Sequence, residues 1–182
     1  MVSTSSDPRL GAIRLAWWRE RLEQLDEGVA TPGEPRLQAV ANELLPRAMS
    51  GLELSQLEDA WLPLLAPFPW AQEQAAALRQ RGRMLFGIGA RLVGAQPQSS
   101  EAPGAFWSLV DGAHHCSDEQ SQRFLMDEAR RELAILPRKA PGPVRGLTTL
   151  VALAAADLVR EGRAAARLSA AIRHRLLGTF PR

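Results

Sequence analysis

Along this chain apolar residues recur at three- and four-residue spacing, and no alternating strand pattern stands beside a hairpin turn. The broadest stripe lies in the first helix-like stretch, where Leu15, Trp18, Leu22 and Leu25 share one face and Leu10, Ile13 and Trp17 occupy the adjoining flank. Asp7 is placed to accept from the free amides of a first turn, and Pro8 falls where a missing N–H costs nothing. The adjacent tryptophans project about 100° apart on a helix. A face this wide predicts a central helix with neighbours on two sides, running to about Glu27 and stopped by Gly28.

The same spacing predicts further helices. Thr31 to Pro35 is a turn, followed by a helix with Leu37, Val40, Ala41, Leu44 and Leu45 inward until Pro46 ends or kinks it. After Ser50-Gly51, Leu54, Leu57, Trp61 and Leu64 or Leu65 fall on one side, and Pro63, Pro67 and Pro69 break the chain. Trp70 to Val93 predicts the longest helix, with Leu78, Leu85, Ile88 and Leu92 as its core stripe and Arg79, Arg81 and Arg83 nearer solvent. Gln96 to Gly104 reads as a loop open to proteolysis. Ala105 to Cys116 and Asp118 to Leu136 read as the next pair, Ser117 or Asp118 capping the second and Phe124, Leu125, Leu133 and Leu136 facing inward. Val144 to Arg160 and Arg163 to Leu177 complete the set, the last ending near Gly178.

Composition narrows the class. The 182 residues fit one domain, with residues 1–6 a disordered N-terminus and 7–180 a helical bundle. Lys plus Arg number 22 against 20 for Asp plus Glu, a net charge of +2 that does not announce nucleic acid. The lone Cys116 permits no internal disulfide and fits a reducing, cytoplasmic compartment. No secretory signal is evident at the start, and the longest nearly apolar run, Leu147 to Leu158, contains Asp157 and is too short to cross a bilayer. It reads as a buried helix.

Arg14-Leu15-Ala16-Trp17-Trp18-Arg19-Glu20, followed by Leu22, resembles the tryptophan-pair helix of the squalene/phytoene synthase family. The resemblance continues through Met84-Leu85-Phe86, Gly94, Phe106-Trp107-Ser108-Leu109-Val110-Asp111 and Leu136-Pro137-Arg138. It implies an all-α isoprenoid-synthase fold and a transferase of isoprenoid biosynthesis that joins prenyl diphosphates head to head. In that family magnesium, held by two aspartate-rich motifs on facing helices, assists diphosphate departure. The helix bearing the first motif would precede the tryptophan helix, and only six residues stand before Asp7. The second motif maps onto Asp111, His115 and Glu119, with His114 and His115 standing where the family has Arg and Asp. That exchange removes a hard oxygen ligand. Asp111 and Glu119, eight residues apart, would stand about 12 Å apart along a helix axis and could not share one magnesium. The resemblance also makes Arg14, Trp18 and Arg19 the ligand-binding candidates, the two arginines suiting a diphosphate through paired hydrogen bonds.

Each candidate has a plainer reading. Asp111 and His115 can form a hydrogen-bonded pair or two ligands of a softer metal, but no third ligand is specified, so a structural or capping role is preferred. Gly87-Ile88-Gly89 to Gly94 loosely suggests a phosphate loop, yet no strand precedes it, and close helix packing is preferred. Cys116 beside His115 suggests a nucleophile with its base, but neighbours in sequence do not face one another on a helix, which favours a buried thiol. Arg163, Arg167, His174 and Arg175 outline a basic stripe for anionic lipid or, more simply, a solvated face.

The sequence therefore leads to an all-α, shortened squalene/phytoene synthase-like bundle, diverged and non-catalytic. It would bind a prenyl or other lipid-like ligand, or a protein partner as an assembly factor does, or pair with its own copy. No nucleic acid, transmembrane segment, metal or cofactor enters this reading, although peripheral membrane contact is compatible with it. The enzymatic alternative is a magnesium-dependent prenyl transferase whose missing carboxylates lie outside this chain.

Overall fold

Asp7 caps the first helix as its sequence requires, accepting the Arg9 N–H at 2.8 Å, and Pro8 opens α1 (Pro8–Asp26). The computed structural model of the chain describes residues 7–29, 33–160 and 164–181. The sequence expectations for residues 1–6, for Thr31-Pro32 and for Arg163 lie outside the described residues. Among the described residues the chain is helical, with one isolated bridge between Lys139 and Thr179 and no strand. The all-α class is thus established. The folded chain divides into two compact units, Met1–Ala66 and Pro67–Arg182. Pro63, Pro67 and Pro69 crowd that boundary, where each denies the helix a backbone donor.

In the first unit α1 ends at Asp26, followed by Gly28 in the left-handed region (φ 72°), as predicted. The Asp26 carboxylate accepts the N–H groups of Gly51 (2.6 Å) and Leu52 (2.8 Å), tying the end of α1 to the start of α3 (Gly51–Ser55). α2 (Pro35–Ala39) passes into a π turn over Val40–Leu44 and a 3-10 turn over Leu45–Arg47, the disruption expected of Pro46. α4 (Leu57–Trp61) follows with its own 3-10 turn, Leu62–Leu65. α1 packs against α3, α4 and that last turn. Gly11 and Leu25 are buried, Leu15, Trp18 and Leu22 are half-buried, and Leu10, Ile13 and Trp17 are exposed. The predicted burial of both tryptophans is corrected accordingly. A single packed side covers the Leu15–Trp18–Leu22–Leu25 stripe, while Leu10, Ile13 and Trp17 on the adjoining flank, about 100° or more away around the helix, remain 50%, 65% and 37% exposed.

The second unit comprises α5 (Gln72–Leu92), α6 (Gln98–His115), α7 (Glu119–Ile135), α8 (Thr149–Arg160) and α9 (Ala164–Leu177). α6 lies against α5, α7 and α8, with Phe106, Leu109 and Ala113 fully buried. A Cβ on Gly82 of α5 would overlap the Gly104 carbonyl of α6, and a Cβ on Gly104 would overlap the Gly82 carbonyl. Here the two backbones touch, so glycine is required. Gly89 packs tightly against the Leu147 side chain, as the close-packing reading predicts, whereas Gly87 makes ordinary contact with Pro97 and Gly94 stands in open space at a left-handed φ of 73°.

Three expectations fail in this unit. The predicted loop Gln96 to Gly104 is mostly the first two turns of α6, because the Ser100 hydroxyl donates to the Phe86 carbonyl (2.7 Å) and Gly104 meets α5. Pro103 is accommodated early in the helix, where its missing donor costs one bond. The α5 core stripe is also rotated from prediction: Ala75, Leu78, Gly82, Phe86 and Ala90 are buried, together with Arg81, while Leu85, Ile88 and Leu92 are half-buried. α8 likewise starts later than predicted, after a 3-10 turn at Gly142–Val144.

Candidate functional site

The site begins with the α5–α6 contact. Because Gly82 brings the backbones together, the side chain before it, Arg81, is enclosed between the helices and only 5% exposed. α6 projects Trp107, Ser108 and Asp111 toward it at helical spacing. Arg81 Nε donates to Ser108 Oγ (2.8 Å), and Nη2 donates to the Ser108 carbonyl (3.3 Å) and to Asp111 Oδ2 (2.6 Å). The guanidinium carbon lies 5.9 Å from the centre of the Trp107 ring. Burial pulls the Arg81 pKa below its ordinary range while the Asp111 charge opposes the shift, and the guanidinium remains charged.

One turn along, His115 Nδ1 lies 2.8 Å from the Asp111 carbonyl oxygen and 3.5 Å from Asp111 Oδ1. A carbonyl only accepts, so Nδ1 carries the proton in this arrangement. Asp111 and His115 are therefore brought together, as the spacing predicted. Glu119 is not: it opens α7 rather than extending α6, is exposed, and pairs with Arg123 of its own helix at 3.6 Å. Asp118 caps that helix, accepting from Ser121 N (2.8 Å) and Ser121 Oγ (2.6 Å), and these bonds lower its pKa. Helix termination at His115 thus rules out the single-axis arrangement of Asp111 and Glu119.

The other candidates belong to α1 in the first unit. Arg14 is exposed, and Trp18 is half-buried with its ring edge-on to Trp17 at 5.2 Å. Arg19 is committed to carboxylates, donating to Glu23 (3.2 Å) and Glu58 (3.4 Å), and the Glu23 bond is the main cause of its raised pKa. A diphosphate would have to compete for that guanidinium.

Cys116 is buried while its neighbour His115 is exposed, so the thiol and imidazole do not form a nucleophile–base pair. The basic stripe is also redrawn. Arg167 pairs with Asp157 at 3.5 Å, and His174 is fully enclosed. His174 Nε2 lies 2.8 Å from Thr148 Oγ1, Nδ1 lies 3.1 Å from the Thr179 carbonyl, and the ring stacks on Phe180 at 4.7 Å. Beside it a cavity of about 270 Å³ opens between α8, α9 and the segment after them, lined by Ala156, Ala170, Phe180 and Arg173 among others.

Among the described residues no three His, Cys, Asp or Glu side chains converge to hold a metal. The Asp111–His115 pair fits magnesium poorly on its own geometry. Asp111 Oδ2 already accepts from a cation, and the next donor is an imidazole rather than a hard oxygen. Sequence reasoning missed Arg81 as Asp111's partner. The available signal was Gly82: a small residue marks the packed face of α5, and its neighbour along the chain stands at the edge of that face.

Comparison of the chain with family models, curated proteins and solved structures finds no match. No described helix is long and apolar enough to cross a membrane.

Proposed function

We propose that the chain is a diverged squalene/phytoene synthase-like protein that works by binding a lipid-like ligand or a protein partner, without turnover. The observation supporting this is the ion pair between Arg81 and Asp111. Diphosphate departure leaves negative charge that metal ions must neutralise, and a carboxylate must be available to hold them. In this chain the matching carboxylate neutralises a buried arginine instead. The cavity beside Phe180, where Ala156, Ala170 and Phe180 line one part and Ser169, Thr179 and Arg173 another, suits a ligand with an apolar chain and an anionic group.

The test is diphosphate release from farnesyl or geranylgeranyl diphosphate in the presence of magnesium. No release above a no-protein control is expected, with a co-purifying lipid recovered by solvent extraction and mass spectrometry. Magnesium-dependent release that disappears in Asp111→Asn would overturn the reading and establish the prenyl transferase alternative.

A further inference from the structure

We propose that the outward face of α9 docks on an anionic lipid membrane. On a helix, Leu168, Ile172 and Leu176 form a slanted row about 12 Å long that turns by about 40° at each step, centred opposite Ala170 and His174, the buried residues of α9. The three are 63%, 52% and 70% exposed. α9 therefore presents an apolar line on the side away from its buried residues. Arg175 flanks the outer line on one side and Arg173 on the other, both exposed.

Charge selects the occupant. From Leu136 to Arg182 the sequence holds nine Lys and Arg against two Asp and Glu, while the first 135 residues hold thirteen against eighteen, which together give the net charge of +2. The near-neutral total conceals a strongly basic C-terminal quarter. Structure adds to this at the C-terminal end of α9. Arg145 Nη1 donates to the Leu176 carbonyl (2.8 Å), and Lys139, exposed beside exposed Arg138, bridges to Thr179. An apolar line flanked by arginines is the composition of a helix lying in a lipid headgroup region, with aliphatic side chains inserted and guanidinium groups at the phosphates.

Other occupants fit less well. A second copy of α9 would bring arginine toward arginine, and residues 162–182 carry no acidic side chain to answer them. A nucleic acid would be served by the arginines but leaves the three aliphatic side chains without a role, and the line contains no aromatic ring for a base to stack on.

The experiment is vesicle flotation of the full chain with phosphatidylcholine alone and with roughly one-third phosphatidylglycerol added. Flotation with the anionic vesicles only, weakening as salt is raised, is expected. The variant Leu168→Ser/Ile172→Ser/Leu176→Ser should stay helical, since all three positions are exposed, and should lose flotation. Arg175→Gln, which leaves the cavity-lining Arg173 in place, should weaken partitioning by roughly fivefold, independently of the apolar positions. Equal flotation with neutral vesicles would overturn the proposal, as would full flotation of the serine variant. It is equally overturned by a dimer that the serine substitutions convert to monomer without any vesicle binding, or by retention on duplex DNA that exceeds vesicle binding.

Discussion

In the first unit α1 presents large side chains, two tryptophans among them, yet of these only Leu25 is buried, whereas in the second unit the α5–α6 contact is built around Gly82 and Gly104 and excludes solvent from Arg81. The contrast shows that burial follows from how closely a partner's backbone can approach, more than from the apolar area a helix offers. α1 meets short, proline-interrupted neighbours that cover one side of it. α6 meets α5, α7 and α8, and small residues let α5 come close enough to enclose a charged group.

The sharpest way to break that contrast is to add a methyl group. Gly104→Ala gains about 1 kcal/mol of helix propensity, but the added carbon meets the Gly82 carbonyl and Phe86 Cβ (2.6 Å), so a net loss of about 3 kcal/mol or more is expected. Urea denaturation measures it, and an unchanged midpoint would mean the helices do not touch here. Next comes Arg81→Leu, which strands Asp111. Because that carboxylate is 26% exposed, the expected loss is about 2–3 kcal/mol, below the range for fully buried pairs. Adding Asp111→Leu should recover part of it, and a double variant as unstable as the two losses added would show that the pair is not coupled.

Trp18→Ala tests the other side of the comparison. A central tryptophan would cost about 3–5 kcal/mol, but a half-buried one should cost about 1–2 kcal/mol. A loss equal to that of Gly104→Ala would place α1 in a core after all. The smallest effect concerns pH. Burial lowers the His174 pKa, with Arg145 and Arg175 adding to the shift and the Thr179 carbonyl opposing it. The folded chain therefore prefers the neutral ring. Its contribution is present above the unfolded value of about 6.5 and is lost as pH falls from there toward the folded pKa, no more steeply than about 1.4 kcal/mol per pH unit. His174→Gln should flatten the denaturation midpoint over that interval, and an unaltered slope would remove His174 as the cause.

Helix ends were the most legible part of the sequence. Asp7-Pro8, Gly28, Asp118 and Gly178 act as their side chains or left-handed backbones dictate, because capping is local chemistry. Which face of a helix is covered is not local. Leu10, Ile13 and Trp17 look like core on α1, and Arg81 looks like surface on α5, until the partners are in place. The Asp111–His115 pair was legible as an i, i+4 spacing, whereas Arg81, thirty residues away, becomes a member of the site only through the Gly82–Gly104 contact. The start of α6 was hidden by Pro103 and a polar run whose Ser100 is in fact fully buried.

The Gly82–Gly104 contact also constrains how this chain can diverge. Ordinary core neighbours drift together, one side chain shrinking as the other grows. At these two positions the obstacle to any new side chain is the opposite main-chain carbonyl, which no codon change can trim. Neither position can rescue the other, so both should stay fixed independently in descendants of this fold. Their columns in an alignment would be constant and would carry no covariation, although no two residues of α5 and α6 are more strictly bound to one another.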